Sequence, residues 1–266
     1  MKHIHFDPEP DGFYGAYWPC QGADCAVIAM LGDDPEDHMA RSAVKWLLGQ
    51  GVSVLTMSPA KKDYSHHNYP LERVEAAIAW LTAHGNRKVG IAGASTTGTL
   101  ALTAASYFPA LTLTIAMTAS DFVRQGFAAE GKRTGDRMNS RKIFDDSEAA
   151  HPLQEEMIPV ERIPGKLLLV GAEDDTLWDA ARYIRRMGKR LSEKPHSCSV
   201  EAAVYAHGTH FVFPEEMLKT MLPVGSALFV KWAFPAARKY PRECRETRLD
   251  VERRVCRALT EWKGEK

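Results

Sequence analysis

The stretch "GASTTG", residues 93–98, follows one apolar run and opens another that is rich in alanine and leucine. A small-residue turn at such a boundary suits two chemistries. Spaced G-x-G-x-x-G, it would let a dinucleotide pyrophosphate approach the backbone. Here Ser95 stands at the middle glycine position, and the acidic residue required about twenty positions on is absent from the end of the next strand. Spaced G-x-S-x-G, it would hold a nucleophilic serine on a sharp strand-to-helix bend. Gly93 and Ser95 fit this second pattern; Thr97 takes the place of its last glycine, with Gly98 one position later. A serine hydroxyl is a poor nucleophile near neutral pH and needs a histidine base oriented by a carboxylate. Both follow downstream, in the order Ser, acid, His. Glu173, Asp174 and Asp175 end the run "LLLVGAEDD", and His207 and His210 lie in "AAVYAHGTHFVFP". Asp121, after another apolar run, is a fallback acid.

These groups are useful only if the chain brings them to one edge. "CAVIAML" (25–31), "VSVLTM" (52–57), "KVGIAG" (88–93), "LTLTIAM" (111–117), "KLLLVG" (166–171) and "SVEAAVY" (199–205) read as strands, and "GFYGAYW" (12–18) as a further one. Helical stretches alternate with them: "HMARSAVKWLL", capped by Asp34 with Pro35 at its first position, "PLERVEAAIAWLTAHG", the segment after Ser95, and "WDAARYIRRMGKRL". Strands alternating with helices predict an α/β fold, a mostly parallel sheet with helices on both faces and its site at the carboxyl ends of the strands. Residues 120–164 break the rhythm and read as a charged insertion, a lid or cap, within a single domain spanning 1–266. The last 25 residues read as a charged surface helix.

Composition narrows the function classes. The 34 Lys and Arg balance 34 Asp and Glu, which argues against broad electrostatic binding to nucleic acid or anionic membrane. "MKHIHFDPEP" has no signal-like apolar core, and no run approaches the ~18 apolar residues of a membrane span, so a cytoplasmic protein is expected. Five cysteines without a CxxC pair read as free thiols.

On these residues the chain resembles the α/β-hydrolase superfamily. More narrowly, it resembles the C-terminal catalytic domain of acyl-CoA thioesterases and bile acid-CoA:amino acid N-acyltransferases, with dienelactone-hydrolase-like proteins as nearer-sized cousins. The resemblance runs from "GFYGAYWPCQGADCAVIAMLG" to "GTHFVFP". It rests on "YPLERVEAAIAWLTAHGNRKVGIAGASTTGTLAL", "VGAED" and "HGTHFVFP". It implies a serine esterase or thioesterase without metal or cofactor, with Ser95 as nucleophile, Asp174, three residues after Gly171, as acid, and His210 as base. Acyl transfer through the same groups, or a non-catalytic binding protein on this fold, are the alternatives. The implied partner is a small-molecule acyl ester or thioester. The oxyanion donors are expected at the Thr96 N–H and in the loop at Gly32 or Asp33. Asp34 and Asp37 should turn back onto their own helix there. The β-sandwich that precedes this domain in the acyl-CoA enzymes is not found in the sequence, which favours a small or medium acyl ester.

Other candidates have a bland alternative. His66 and His67 read as loop or pocket lining rather than metal ligands, and His3 and His5 lack a third ligand. Arg124, Lys132, Arg133, Arg137, Arg141 and Lys142 form a basic insertion that would suit a CoA phosphate or simply a solvated surface.

Overall fold

The computed structural model describes residues 2–32, 34–58, 69–123, 140–150, 157–222 and 225–265. Eight strands form one sheet: β1 Ile4–Phe6, β2 Gly15–Trp18, β3 Cys25–Met30, β4 Ser53–Met57, β5 Lys88–Ala94, β6 Leu111–Met117, β7 Lys166–Ala172 and β8 Ser199–Tyr205. Their order is β1-β2-β4-β3-β5-β6-β7-β8. The β1–β2 and β2–β4 pairs are antiparallel, and β4 through β8 run parallel.

The helices are α1 Pro8–Asp11, α2 His38–Gly49, α3 Glu72–Ala83, α4 Thr96–Tyr107, α5 Arg141–Ala150, α6 Ala180–Glu193, α7 Glu215–Met221, α8 Ser226–Ala233, α9 Pro235–Lys239 and α10 Pro241–Gly264. Strand β3 shows why the parallel strands read as unbroken apolar runs. Ala26, Ile28 and Met30 pack into the core shared with α3, α4 and α6, whereas Cys25, Val27 and Ala29 pack into the core shared with α2, α7 and α10. Alternate side chains point to opposite faces, and both faces are covered. All five cysteines are free thiols.

Two sequence expectations are corrected. Helix α2 is capped by Asp37, not Asp34: its Oδ1 accepts from the Ala40 N–H at 2.8 Å. Asp34 instead closes the preceding turn, accepting from the Glu36 N–H at 2.8 Å and from the Tyr14 hydroxyl at 3.2 Å. Helix α10 is charged on its exposed side and buries Val251, Val255, Leu259 and Trp262 on the other, together with Arg248, which pairs with Glu215. His3 and His5 converge on Glu36, at 2.6 and 2.9 Å.

The described parts of the 120–164 insertion pack onto the body. Phe122 and Phe144 join Trp178 and Tyr183 in a small apolar cluster, and Arg182 and Arg186 of α6 pair with Asp145, Glu148 and Asp121. Arg124, Lys132, Arg133 and Arg137 lie outside the described residues, as do Asp33, His66 and His67.

Candidate active site

Ser95 sits between the last residue of β5 and the first of α4 at φ +59°, ψ −130°. An L-residue there costs roughly 1–3 kcal/mol, so the surroundings must impose it. They do so through close packing. A Cβ on Gly93 would overlap the Thr97 carbonyl, and one on Gly98 would lie 3.1 Å from Ala119 Cβ. The Ser95 N–H donates to the Met117 carbonyl of β6 at 2.9 Å.

Thr97 fills the place of the missing glycine without opening this bend. Its hydroxyl lies 2.6 Å from the Met30 carbonyl and 2.8 Å from that of Ala94, and accepts from the Ala94 N–H at 3.1 Å. A hydroxyl that satisfies buried backbone groups ties the bend to the end of β3, where Gly32 follows at φ +86°.

The acid and the base come from the ends of β7 and β8. His210 Nδ1 lies 2.8 Å from Asp175 Oδ2, and both side chains are buried. Asp174, expected beside His210, lies 2.8 Å from His207 Nδ1 instead, with about a third of each side chain exposed. The reason is the turn. Strand β7 runs one residue past Gly171, so Glu173 and Asp174 make the outer side of the turn and Asp175 returns inward. There its Oδ1 accepts from the Leu177 N–H at 2.9 Å. His207 is turned outward, stacked on Tyr240 at 3.8 Å.

Asp121 does not approach His210. It is buried against Arg186, which donates to both its oxygens at 2.6 and 2.7 Å. Burial pushes its carboxyl up from the usual range, against the pull of Arg186.

His210 Nε2 is buried and has no hydrogen-bond partner among the described residues. It shares a cavity of about 260 Å³ with Ser95, Thr96, Gly32, Thr118 and the apolar side chains of Leu31, Met39, Leu177, Phe211 and Phe213. Thr96, as the first residue of α4, has an N–H among those a helix leaves without an intrahelical partner.

Two residues that hold this arrangement escaped sequence reading. Thr118, at φ +45°, bonds through its hydroxyl to the His210 carbonyl at 3.3 Å, and its own carbonyl accepts from Trp178 Nε1 at 2.8 Å. Trp178 in turn sets its ring edge-on to His210 at 5.5 Å. A positive φ at a threonine leaves no mark in sequence.

The strand order, the helices on both faces and the serine bend after β5 define an α/β-hydrolase fold. The family model described as BAAT / Acyl-CoA thioester hydrolase C terminal matches residues 69–217, more than half of the 266-residue chain, and the protein belongs to that family. It is of α/β-hydrolase type, in a family described by acyl-CoA thioester hydrolases. Among curated proteins, none matches the sequence.

Solved structures share the fold at low identity. The Pyrococcus furiosus esterase Pf2001 superposes with a TM-score of 0.54 at 15% identity, over 98% of each chain. A sugar hydrolase from Lactococcus lactis gives 0.59 at 16%, over 97% of this chain and 100% of its own. The acylaminoacyl peptidase of Pyrococcus horikoshii gives 0.63 at 10%, over all of this chain and 42% of its own. No helix among the described residues is long and apolar enough to cross a membrane.

Proposed function

We propose that the protein is a serine hydrolase that cleaves an ester or thioester of an apolar carboxylic acid through a seryl acyl-enzyme. One observation carries the reading. The buried Asp175–His210 pair leaves Nε2 of the ring unpartnered in the same cavity as a serine held at positive φ.

In this reading Ser95 Oγ attacks the acyl carbon as its proton passes to His210 Nε2. Asp175 holds the imidazole by Nδ1–H and stabilises the imidazolium. The Thr96 N–H and the backbone at Gly32 donate to the oxyanion. Collapse of the tetrahedral intermediate expels the alcohol or thiol, which takes the proton from His210. Water then attacks the acyl-enzyme by the same route, releasing the acid and restoring Ser95. Leu31, Met39, Phe211 and Phe213 give the acyl group an apolar wall.

A fluorophosphonate probe tests this directly. It should label the wild type at Ser95, and Ser95→Ala should lose both labelling and ester turnover, the latter by a factor on the order of 10⁶. Labelling or turnover that persists in Ser95→Ala refutes the reading.

A further inference from the structure

The loop that carries Asp175 is held from outside by the insertion. Of the five carbonyls from Glu173 to Leu177, four accept hydrogen bonds from Ser140 or Arg141. Arg141 Nη1 donates to the Glu173 carbonyl at 2.8 Å and to that of Asp175 at 3.2 Å, while Nη2 pairs with the Asp179 carboxylate. The Ser140 and Arg141 N–H groups both donate to the Thr176 carbonyl at 3.0 Å, and Ser140 Oγ donates to that of Leu177 at 2.8 Å. Leu177 then passes the constraint inward, because its N–H holds Asp175 Oδ1 while Oδ2 holds His210.

We propose that Arg141, with Ser140, is a positioning residue for the catalytic carboxylate, clamping the 173–177 loop so that Asp175 stays on His210. The proposal rests on the serine-hydrolase reading above. A guanidinium suits the task because its rigid fork serves two carbonyls and a carboxylate at once. Arg141 lines a different cavity, of about 420 Å³, with Glu173, Lys239 and Tyr240. It is absent from the lining of the Ser95 cavity, so it acts on the site through the loop and not through substrate.

The test uses the full chain with p-nitrophenyl butyrate. Arg141→Gln should lower kcat about ten- to a hundredfold with KM within about twofold, as loss of an orienting partner does. In an Asp175→Asn background the same change should cost less than about twofold, since residues acting as one unit do not add. Proton NMR gives a readout free of substrate. The far-downfield Nδ1–H resonance of His210 should be present in wild type, absent in Asp175→Asn and broadened in Arg141→Gln.

Wild-type kcat with a sharp resonance in Arg141→Gln overturns the proposal, as do losses that multiply in the double variant. Should Arg141→Gln fail to fold, Ser140→Ala decides. A kcat-selective loss there supports the clamp, and unchanged kcat with an unchanged resonance refutes it. Persisting turnover in Ser95→Ala would instead sink the hydrolase reading, and the NMR arm would still report on the clamp.

Discussion

Asp174 and Asp175 are neighbours of one type, and their surroundings give them different work. Asp175 is 1% exposed and bonded to His210 and Leu177, so its charge is spent inside the site. Asp174 stands on the rim with His207, where water screens the pair and the interaction is worth little. Asp175→Asn should therefore lose about 10⁴-fold in kcat, because an amide favours the wrong histidine tautomer, and Asp174→Asn should stay within about threefold of wild type. Steady-state kinetics on the two variants checks the assignment, and the reverse ranking would move the acid to Asp174. Thr97 belongs to the same scale: its hydroxyl does by bonding what a second elbow glycine would do by being small.

Among the elements, further ion pairs fasten the end of the insertion, the short turn before β7, to α6 and the residue that follows it. That turn is a 3₁₀ helix, Val160–Arg162, whose Glu161 accepts from Arg190 at 2.5 and 2.7 Å and from Lys194 at 3.1 Å. The Arg190 bonds hold its carboxyl down at about 2. A folded-state value below the unfolded one, roughly 4.3, means stability that is present above that value and lost as pH falls through about 2. Glu161→Gln should cost about 1–2 kcal/mol at pH 7, and its deficit should shrink as the pH drops from about 4.3 toward 2. Denaturant melts of both proteins at several pH values measure this; a deficit that is constant with pH would mean that the charge is not what matters.

For the molecule as a whole, α10 closes the sheet face opposite α3, α4 and α6. Trp262 is fully buried there, and its indole N–H donates to Thr112 Oγ1 at 2.8 Å, joining the end of α10 to the start of β6. Trp262→Ala should destabilise the fold by about 3–5 kcal/mol through the cavity it opens. Thermal unfolding checks the size, and kcat per folded molecule should be unchanged, because the tryptophan does not line the Ser95 cavity. A loss of kcat without loss of stability would contradict this account.

Much of this architecture was legible because it is local. Apolar runs such as "CAVIAML" and "KLLLVG" become strands buried on both faces, and the strand, serine and helix of "VGIAGASTTGTLAL" lie within one short stretch. Periodicity and turn chemistry act between near neighbours, so one sequence carries them. The order Ser, acid, His is likewise written along the chain. What the tertiary structure alone decided is which polar groups meet. Asp175, rather than Asp174, reaches His210 across 35 residues. Thr97 finds the Met30 carbonyl 67 residues before it, and Ser140 and Arg141 find the acid loop more than thirty residues ahead. A turn that runs one residue longer exchanges an inward carboxylate for an outward one, and nothing in composition or spacing records that difference. Such pairings depend on how the strand ends are set side by side by packing, and only the folded sheet fixes those positions.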